Sequence, residues 1–263
     1  MDRALEEIEF LALSANRVAV LETLREHACT RRELAERTDA SQPTLGRVLR
    51  DLTERHWVTH DGERYTTTAT GEMVAAEFTD LRETLETELR LREVMAWLPT
   101  DTMTFDLRRL RDATITRPSQ TRPDAPVQRA LELLWDASEV KIFSHAFNGR
   151  SLDVLQRRIA DHEGRFEGVF SPAAVEALAD DAPLRRQLQD LLAADDAEVR
   201  LYDGSIPVAV TLADDVVHLL LRDEGGLLRA GIDTDDEEAV AWARETHEAY
   251  WEHATPLDLD ALD

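Results

Sequence analysis

The stretch RRELAERTDASQPTLGRVLRDLTERHWVTHDGERYTTTATGE, residues 31–72, decides how the chain reads. Just before it, Thr30 with Glu33 forms a Thr-x-x-Glu capping box, in which each side chain satisfies an orphan backbone N–H of the other. It opens a short helix, Arg31 to Arg37, that packs on Leu34 and Ala35. The turn Thr38-Asp39-Ala40 follows. Ser41 caps the next helix, and Pro43 falls in its first turn, where a missing N–H costs nothing. That helix runs to about Arg55 and carries Leu45, Val48, Leu49 and Leu52 as one apolar stripe. Two helices joined by so short a turn form a helix-turn-helix unit. Trp57 to His60 then reads as a strand, Asp61-Gly62 as a two-residue hairpin signal, and Arg64 to Thr67 as the returning strand, so the hairpin makes a wing. Thr68 begins another helix, with Gly71-Glu72 in its first turn.

Upstream, Leu5, Ile8, Leu11 and Ala12 recur at helical spacing, and Ser14 stands where it can cap a second helix with Val18, Leu21 and Leu24 on one face. In a helix-turn-helix the second helix lies in a major groove with its N-terminal residues nearest the bases. The side chains left off the apolar stripe there are Gln42, Thr44, Arg47 and Arg50. Gln can pair with adenine and Arg with guanine through two hydrogen bonds each. Ser41 and the helix N-terminus suit a phosphate, and Arg31 and the wing's Arg64 join the candidate DNA contacts. Double-stranded DNA is therefore the expected partner. Winged helices also serve as protein–protein assembly modules without an operator, and that alternative stays open.

Charge argues on both sides. The chain of 263 residues has 30 basic against 54 acidic residues, a net of −24, and Lys141 is its single lysine. Such a surface repels nucleic acid on average. Abundant Asp and Glu with almost no Lys resembles proteins of salt-accumulating halophilic archaea, where a Debye length of about 3 Å in molar salt screens the self-repulsion. The distribution is informative: Ser14 to Thr68 holds nine arginines and nine acidic residues, so the segment that looks like a DNA reader is neutral. No run of eighteen apolar residues and no apolar signal core at the start is present, so a cytoplasmic protein without a membrane span is expected. The single cysteine, Cys29, excludes an internal disulfide and reads as a small residue near a helix end.

Over about residues 5–75 the order of these features resembles the archaeal winged-helix regulators of the ArsR and MarR type; the Ser-x-Pro-Thr helix start, the "LRDLTERHWV" ending and the "YTTTATG" wing exit carry the resemblance. It implies transcription regulation. A metal sensor of the ArsR type would need a cysteine or histidine cluster, which His27, Cys29, His56 and His60 do not make by spacing, so no metal is expected.

From Thr70 to Leu98 there is no proline and one glycine, and Val74, Phe78, Leu81, Leu85 and Leu89 follow steps of three and four. The spacing predicts a connecting helix about 40 Å long. Its stripe suits pairing with a second copy, giving a homodimer that would set two recognition helices one DNA turn apart; packing on its own C-terminal domain is the alternative.

Beyond Pro99 the pattern predicts a strand at Thr102 to Phe105, a short helix Leu107 to Leu110, a strand Ala113 to Thr116, and a proline-rich loop from Arg117 to Pro126. Val127 to Ala137 is helical, Val140 to Ser144 a strand, Leu152 to His162 a helix, and Phe166 to Phe170 a strand. Ser171-Pro172 starts a helix, Leu184 to Ala194 is another, and Val199 to Tyr202 is a strand. This alternation favours parallel pairing. The end changes to an antiparallel meander, Val208 to Leu212, Val216 to Leu221 and Leu228 to Ile232, closed by a helix from Glu237 to His253.

The stretch "FDLRRLRDATITRPSQTRPDAPVQRALELLWDASEVKIFS" resembles the middle domain of the archaeal methanogenesis-regulatory proteins, which implies a regulatory sensor or assembly domain. Sugar-responsive archaeal regulators have comparable domains of phospholipase-D-like fold, whose enzymatic relatives use His-x-Lys motifs; none occurs here. There is no Gly-x-Gly-x-x-Gly and no Walker loop, so neither an enzyme nor a cofactor is expected. Ser144-His145 are strand-end neighbours rather than a nucleophile and base, and His247 and His253 face different sides of a helix. A small-molecule effector would bind at the C-terminal strand ends, near Ser144, His145, Phe170 and Tyr202.

The expected fold class is thus α+β: an N-terminal winged helix-turn-helix (1–70), a long connecting helix (71–98), and a C-terminal mixed α/β regulatory domain (99–263) ending in a meander and a helix.

Overall fold

The computed structural model describes residues 2–160 and 164–258. The chain divides into two compact units, Met1–Glu86 and Thr87–Asp263.

In the first unit, helices α1 (Arg3–Ala12), α2 (Ala15–Glu26), α3 (Arg31–Arg37) and α4 (Gln42–Glu54) precede a hairpin of β1 (Val58–His60) and β2 (Tyr65–Thr67), and α5 (Ala69–Leu91) follows. The capping box forms as the sequence dictates: Thr30 Oγ1 accepts from Glu33 N at 3.2 Å and Glu33 Oε2 from Thr30 N at 2.7 Å. Leu21, Leu24, Leu34, Leu45, Val48, Leu49, Leu52 and Trp57 close one core. Burying each large aliphatic side chain contributes about 1.5–3 kcal/mol. Cys29 lies in this core and bridges Tyr65 by two backbone hydrogen bonds, and burial pushes its thiol pKa up.

Three local expectations need correction. Ser14 stands at the N-cap of α2, but its side chain makes no cap bond. Along α1 only Leu11 is buried, while Leu5 and Ile8 are exposed. What holds α1 is Phe10, lying between the guanidinium groups of Arg17 (3.9 Å) and Arg55 (3.5 Å), with Arg55 also bonded to Glu7 at 2.7 Å. The hairpin loop is four residues, not two: His60 pairs with Tyr65, and Asp61 Oδ1 accepts from the N–H groups of Glu63 and Arg64. These bonds hold the Asp61 carboxyl below the usual carboxylate range.

α5 is shorter than its pattern. It ends at Leu91 without a proline or glycine, and a 3-10 turn (Met95–Trp97) follows. The cause lies in packing: Leu91, Val94 and Leu98 turn into the core of the second unit.

The second unit is built on an eight-stranded sheet of β3 (Thr114–Thr116), β4 (Glu139–Ser144), β5 (Arg165–Phe170), β6 (Ala197–Leu201), β7 (Ala209–Ala213), β8 (Val216–Arg222), β9 (Leu228–Thr234) and β10 (Thr255–Pro256). Their order is β10-β6-β5-β4-β7-β8-β9-β3. β4, β5 and β6 are parallel and the remaining pairings are antiparallel, so the strand–helix half and the meander share one sheet. Helices α6 (Ala125–Asp136), α7 (Gly149–Ala160), α8 (Pro172–Ala179) and α9 (Ala182–Leu192) bury one face against Ile142, Phe166 and Phe170. Helix α10 (Glu237–His253) covers the other, against Phe143, Val169, Leu212 and Leu219. The opposite assignment of Ile142 and Phe143 is the two-residue alternation of a strand buried on both faces. The end of the expected helix Leu152–His162 lies partly outside the described residues.

The strand expected at Thr102 to Phe105 is absent. The Thr102 carbonyl instead accepts from the Trp242 indole at 2.8 Å, and Phe105 packs edge-on to Trp242 at 5.6 Å. Leu107–Leu110 is a 3-10 helix.

Candidate functional site

α4 begins on a cap that its own sequence supplies. Ser41 Oγ accepts from Thr44 N at 3.4 Å and lies 2.9 Å from Thr44 Oγ1. Leu45, Val48, Leu49 and Leu52 are buried, which leaves Gln42, Gly46, Arg47 and Arg50 on the outward arc, with Arg47 and Arg50 exposed. Thr44, half-buried and tied to Ser41, stands at the edge of that arc. Arg50 lies 3.9 Å from both Asp51 and Glu54. At that distance and exposure the pairing is weak and leaves the guanidinium able to exchange partners. Among the described residues no carboxylate lies within ion-pairing distance of Arg47.

The other two candidate arginines are held. Arg31 donates to the Gln42 carbonyl at 2.6 Å, which brings the head of α3 to the head of α4. Arg64 donates to the Ala28 carbonyl at 2.7 Å and lies 3.5 Å from Glu33. The bonds from Thr30, with Arg64 and Arg37 nearby, hold the Glu33 carboxyl below its ordinary pKa. Arg64 is thus folded back onto the helix-turn-helix, and the wing tip presents Asp61 and Glu63.

The strand-end candidates divide between the two faces of the sheet. Ser144 and Phe170 are register partners, both buried. Ser144 Oγ donates to the Ala146 carbonyl at 2.7 Å, and Phe170 stacks on Phe147 at 4.2 Å. Tyr202 donates its N–H to the Phe170 carbonyl, but its ring packs against Tyr250 in the α10 layer, at 4.9 Å. His145 is exposed, with Nδ1 3.1 Å from the Ile206 carbonyl. The backbones of all four adjoin; their side chains do not converge on one point.

The HVO_A0261 N-terminal domain family matches residues 5–90, and the family of the middle domain of the methanogenesis regulatory protein FilR1 matches residues 123–253. The chain is thus similar to an HVO_A0261-type N-terminal domain over its first part and to a FilR1-type middle domain over its second. No curated protein sequence matches it. Among solved structures, the archaeal chromatin protein TrmBL2 is similar at 16% identity with a TM-score of 0.45, over 98% of this chain and 100% of that one. NucT from Helicobacter pylori (13% identity, TM-score 0.42) and Nuc, a phospholipase D family member from Salmonella typhimurium (10%, 0.43), each cover 55% of this chain and 98% of their own.

Within the HVO_A0261-type domain the sequence also held a signal that reading by residue type passed over. Gly46 sits in the interior of α4, where glycine costs about 1 kcal/mol relative to alanine. A Cβ there would lie 2.7 Å from Arg31 Nη2. Here the glycine leaves room for that guanidinium.

The FilR1-type domain hides polar groups that no motif flagged. His218 and Asp233, neighbours across β8 and β9, are 1% and 5% exposed, with His218 Nδ1 3.7 Å from Asp233 Oδ1. Arg129 of α6 reaches down to Asp233 Oδ2 at 3.0 Å. Burial works to raise the Asp233 pKa, but His218 and Arg129 outweigh it and the carboxyl stays below its ordinary value. On the opposite face His247 of α10 is buried with Nε2 unpartnered among the described residues. Burial, aided by the Lys141 ammonium and opposed by Glu167, lowers its pKa to about 4.

Proposed function

We propose that the protein is a cytoplasmic DNA-binding transcriptional regulator rather than an enzyme, reading double-stranded promoter DNA with the outward arc of α4. The observation that carries this reading is the combination on one helix of a fully buried apolar stripe with an outward arc bearing Gln42, Arg47 and Arg50. That arc has the donors that recognise adenine and guanine edges. A regulator-family domain over residues 123–253 supports it. The Ser41 hydroxyl and the Gln42 N–H at the head of α4 suit a phosphate.

The working form is a homodimer paired through α5, whose Leu81, Leu85 and Leu89 are 44%, 52% and 56% exposed at steps of four. Three exposed leucines at that spacing form a seam a second copy would cover. The FilR1-type domain tunes DNA affinity, and a small effector bound at the ends of β4, β5 and β6 would do so only by binding the DNA-competent and incompetent shapes unequally. No helix of the described residues is long and apolar enough to cross a membrane.

Equilibrium binding to promoter duplexes at matched salt tests the reading. Arg47→Ala weakens binding to a recognised site by about 1–3 kcal/mol and relaxes specificity there; unchanged affinity removes α4 from the groove. One observation favours the assembly-module reading: the wing tip carries Asp61 and Glu63 while Arg64 is turned to Glu33. Under it, wild-type protein binds no duplex at any salt.

A further inference from the structure

We propose that Gly46 and Arg31 form a built phosphate clamp, in which the missing side chain at position 46 seats the Arg31 guanidinium across the first turns of α4 so that it grips a backbone phosphate of the duplex. The inference rests on the regulator reading above and adds to it a residue with no functional group of its own.

Three observations carry it. Arg31 Nη2 donates to the Gln42 carbonyl at 2.6 Å, so one edge of the guanidinium is fixed to the backbone of α4. The space it occupies is the space a Cβ at position 46 would take, at 2.7 Å from Nη2 and 3.4 Å from Cζ. Finally, no carboxylate among the described residues pairs with Arg31, although Arg32 beside it is paired with Glu36 and Arg64 with Glu33. In a chain of net charge −24, an exposed arginine held by a neutral carbonyl and left without a counter-ion keeps its full charge for a ligand.

The geometry selects the ligand's chemistry. A guanidinium has five N–H donors in a planar fork, and one bond to a carbonyl leaves the remainder for a second acceptor. Phosphate oxygens match that fork. The first helix of a helix-turn-helix crosses the DNA backbone while the second enters the groove, and Arg31 is the first residue of α3. The clamp therefore supplies position and affinity, whereas base discrimination falls to Gln42, Arg47 and Arg50. A guanidinium already held at one edge loses less side-chain freedom on binding than a free arginine. This gives a reason for keeping glycine in the middle of a helix despite its cost there.

Because the atom a Cβ would meet is the far end of a flexible side chain, Gly46→Ala does not disturb the backbone. It evicts the guanidinium and improves the helix. The variant is expected to melt higher than wild type and yet bind DNA less tightly, a pair of opposite signs that a purely structural role for Gly46 does not produce.

The test uses the full-length protein, a duplex from a promoter the wild type occupies, and a scrambled duplex of equal length. Fluorescence anisotropy is followed over a salt series, with thermal melts alongside. Arg31→Ala and Gly46→Ala should each weaken binding by about tenfold, by the same factor on both duplexes. Each should reduce the slope of log affinity against log salt by about 0.9, the signature of one lost phosphate contact. The double variant should lose no more than either single one. Wild-type affinity and slope in Gly46→Ala, or additive losses in the double variant, would overturn the clamp while leaving the regulator reading intact. A loss confined to the promoter duplex would also overturn it, in favour of base contact. A wild type that binds neither duplex sinks the regulator reading, and the clamp falls with it.

Discussion

The two units dispose of their polar side chains in opposite ways. In the first, HVO_A0261-type unit the polar residues of α4 stand outside the core, and even α5 leaves Leu81 and Leu85 uncovered. In the FilR1-type domain His218, Asp233 and His247 are buried on both faces of the sheet, with His218 Nδ1 and Nε2, Asp233 Oδ1 and His247 Nε2 unpartnered among the described residues. Such groups cost about 1–3 kcal/mol each when left unsatisfied. A core that keeps them gives up stability for something else. The first unit is organised to present surfaces, and the second carries charge-sensitive contacts inside its fold.

The sharpest way to break this contrast is to remove the buried carboxylate. Asp233→Ala removes the buried carboxylate that Arg129 reaches and that lies beside His218, and should destabilise the second unit by about 3 kcal/mol, less than a fully enclosed pair because Arg129 is partly exposed. Urea unfolding of the full chain measures it. A change under about 0.5 kcal/mol, the scale of a surface substitution, would mean the row is not part of the core's stability.

Acid probes the other face. His247 is neutral in the fold, its pKa lowered to about 4 from 6.5, so the unfolded chain binds its proton first. The stability this confers is complete above about pH 6.5, is lost as pH falls towards 4, and then changes no further; the full loss is about 3 kcal/mol. Asp233, with a lowered pKa, contributes stability that is complete above the ordinary carboxylate range and is lost only as pH falls below it, so the two windows separate. His247→Phe should flatten the stability profile between pH 6.5 and 4. A wild-type profile already flat there would contradict the burial argument.

The smallest effect concerns the seam left open on α5. Leu85→Glu should weaken the proposed dimer by about 1.5 kcal/mol per subunit without lowering the melting temperature of the separated chain, as read by analytical ultracentrifugation over a concentration series. A wild type that stays monomeric at high concentration would show that the stripe pairs with nothing.

The same contrast explains what could be read from the sequence. Caps and stripes are local, so Thr30, Ser41 and the leucines of α4 announced their helix limits, and Glu237–His253 was legible to the residue. Periodicity says which residues share a face and not whether that face is covered, and so the stripe Leu81-Leu85-Leu89 was visible while its exposure was not. Where distant parts decide, local reading failed. The helix expected to Leu98 stops at Leu91 because Leu91, Val94 and Leu98 are drawn into a core that includes strands over a hundred residues away. Thr102 to Phe105 has strand character, yet the Trp242 indole takes its carbonyl. At the candidate interface the residue types pointed to the arc of α4, but Arg64 is turned inward to Ala28 and Glu33. Gly46 mattered through what it lacks, a cue visible only once Arg31 lies across it.

The claim on which the account turns is that the outward arc of α4 faces a duplex. Occupancy mapping in the native cells, with wild-type protein beside Arg47→Ala at equal abundance, tests it most directly. The account predicts sharp wild-type peaks near promoters that the variant loses or spreads. Equal peaks for the two proteins, or none for the wild type, would contradict it.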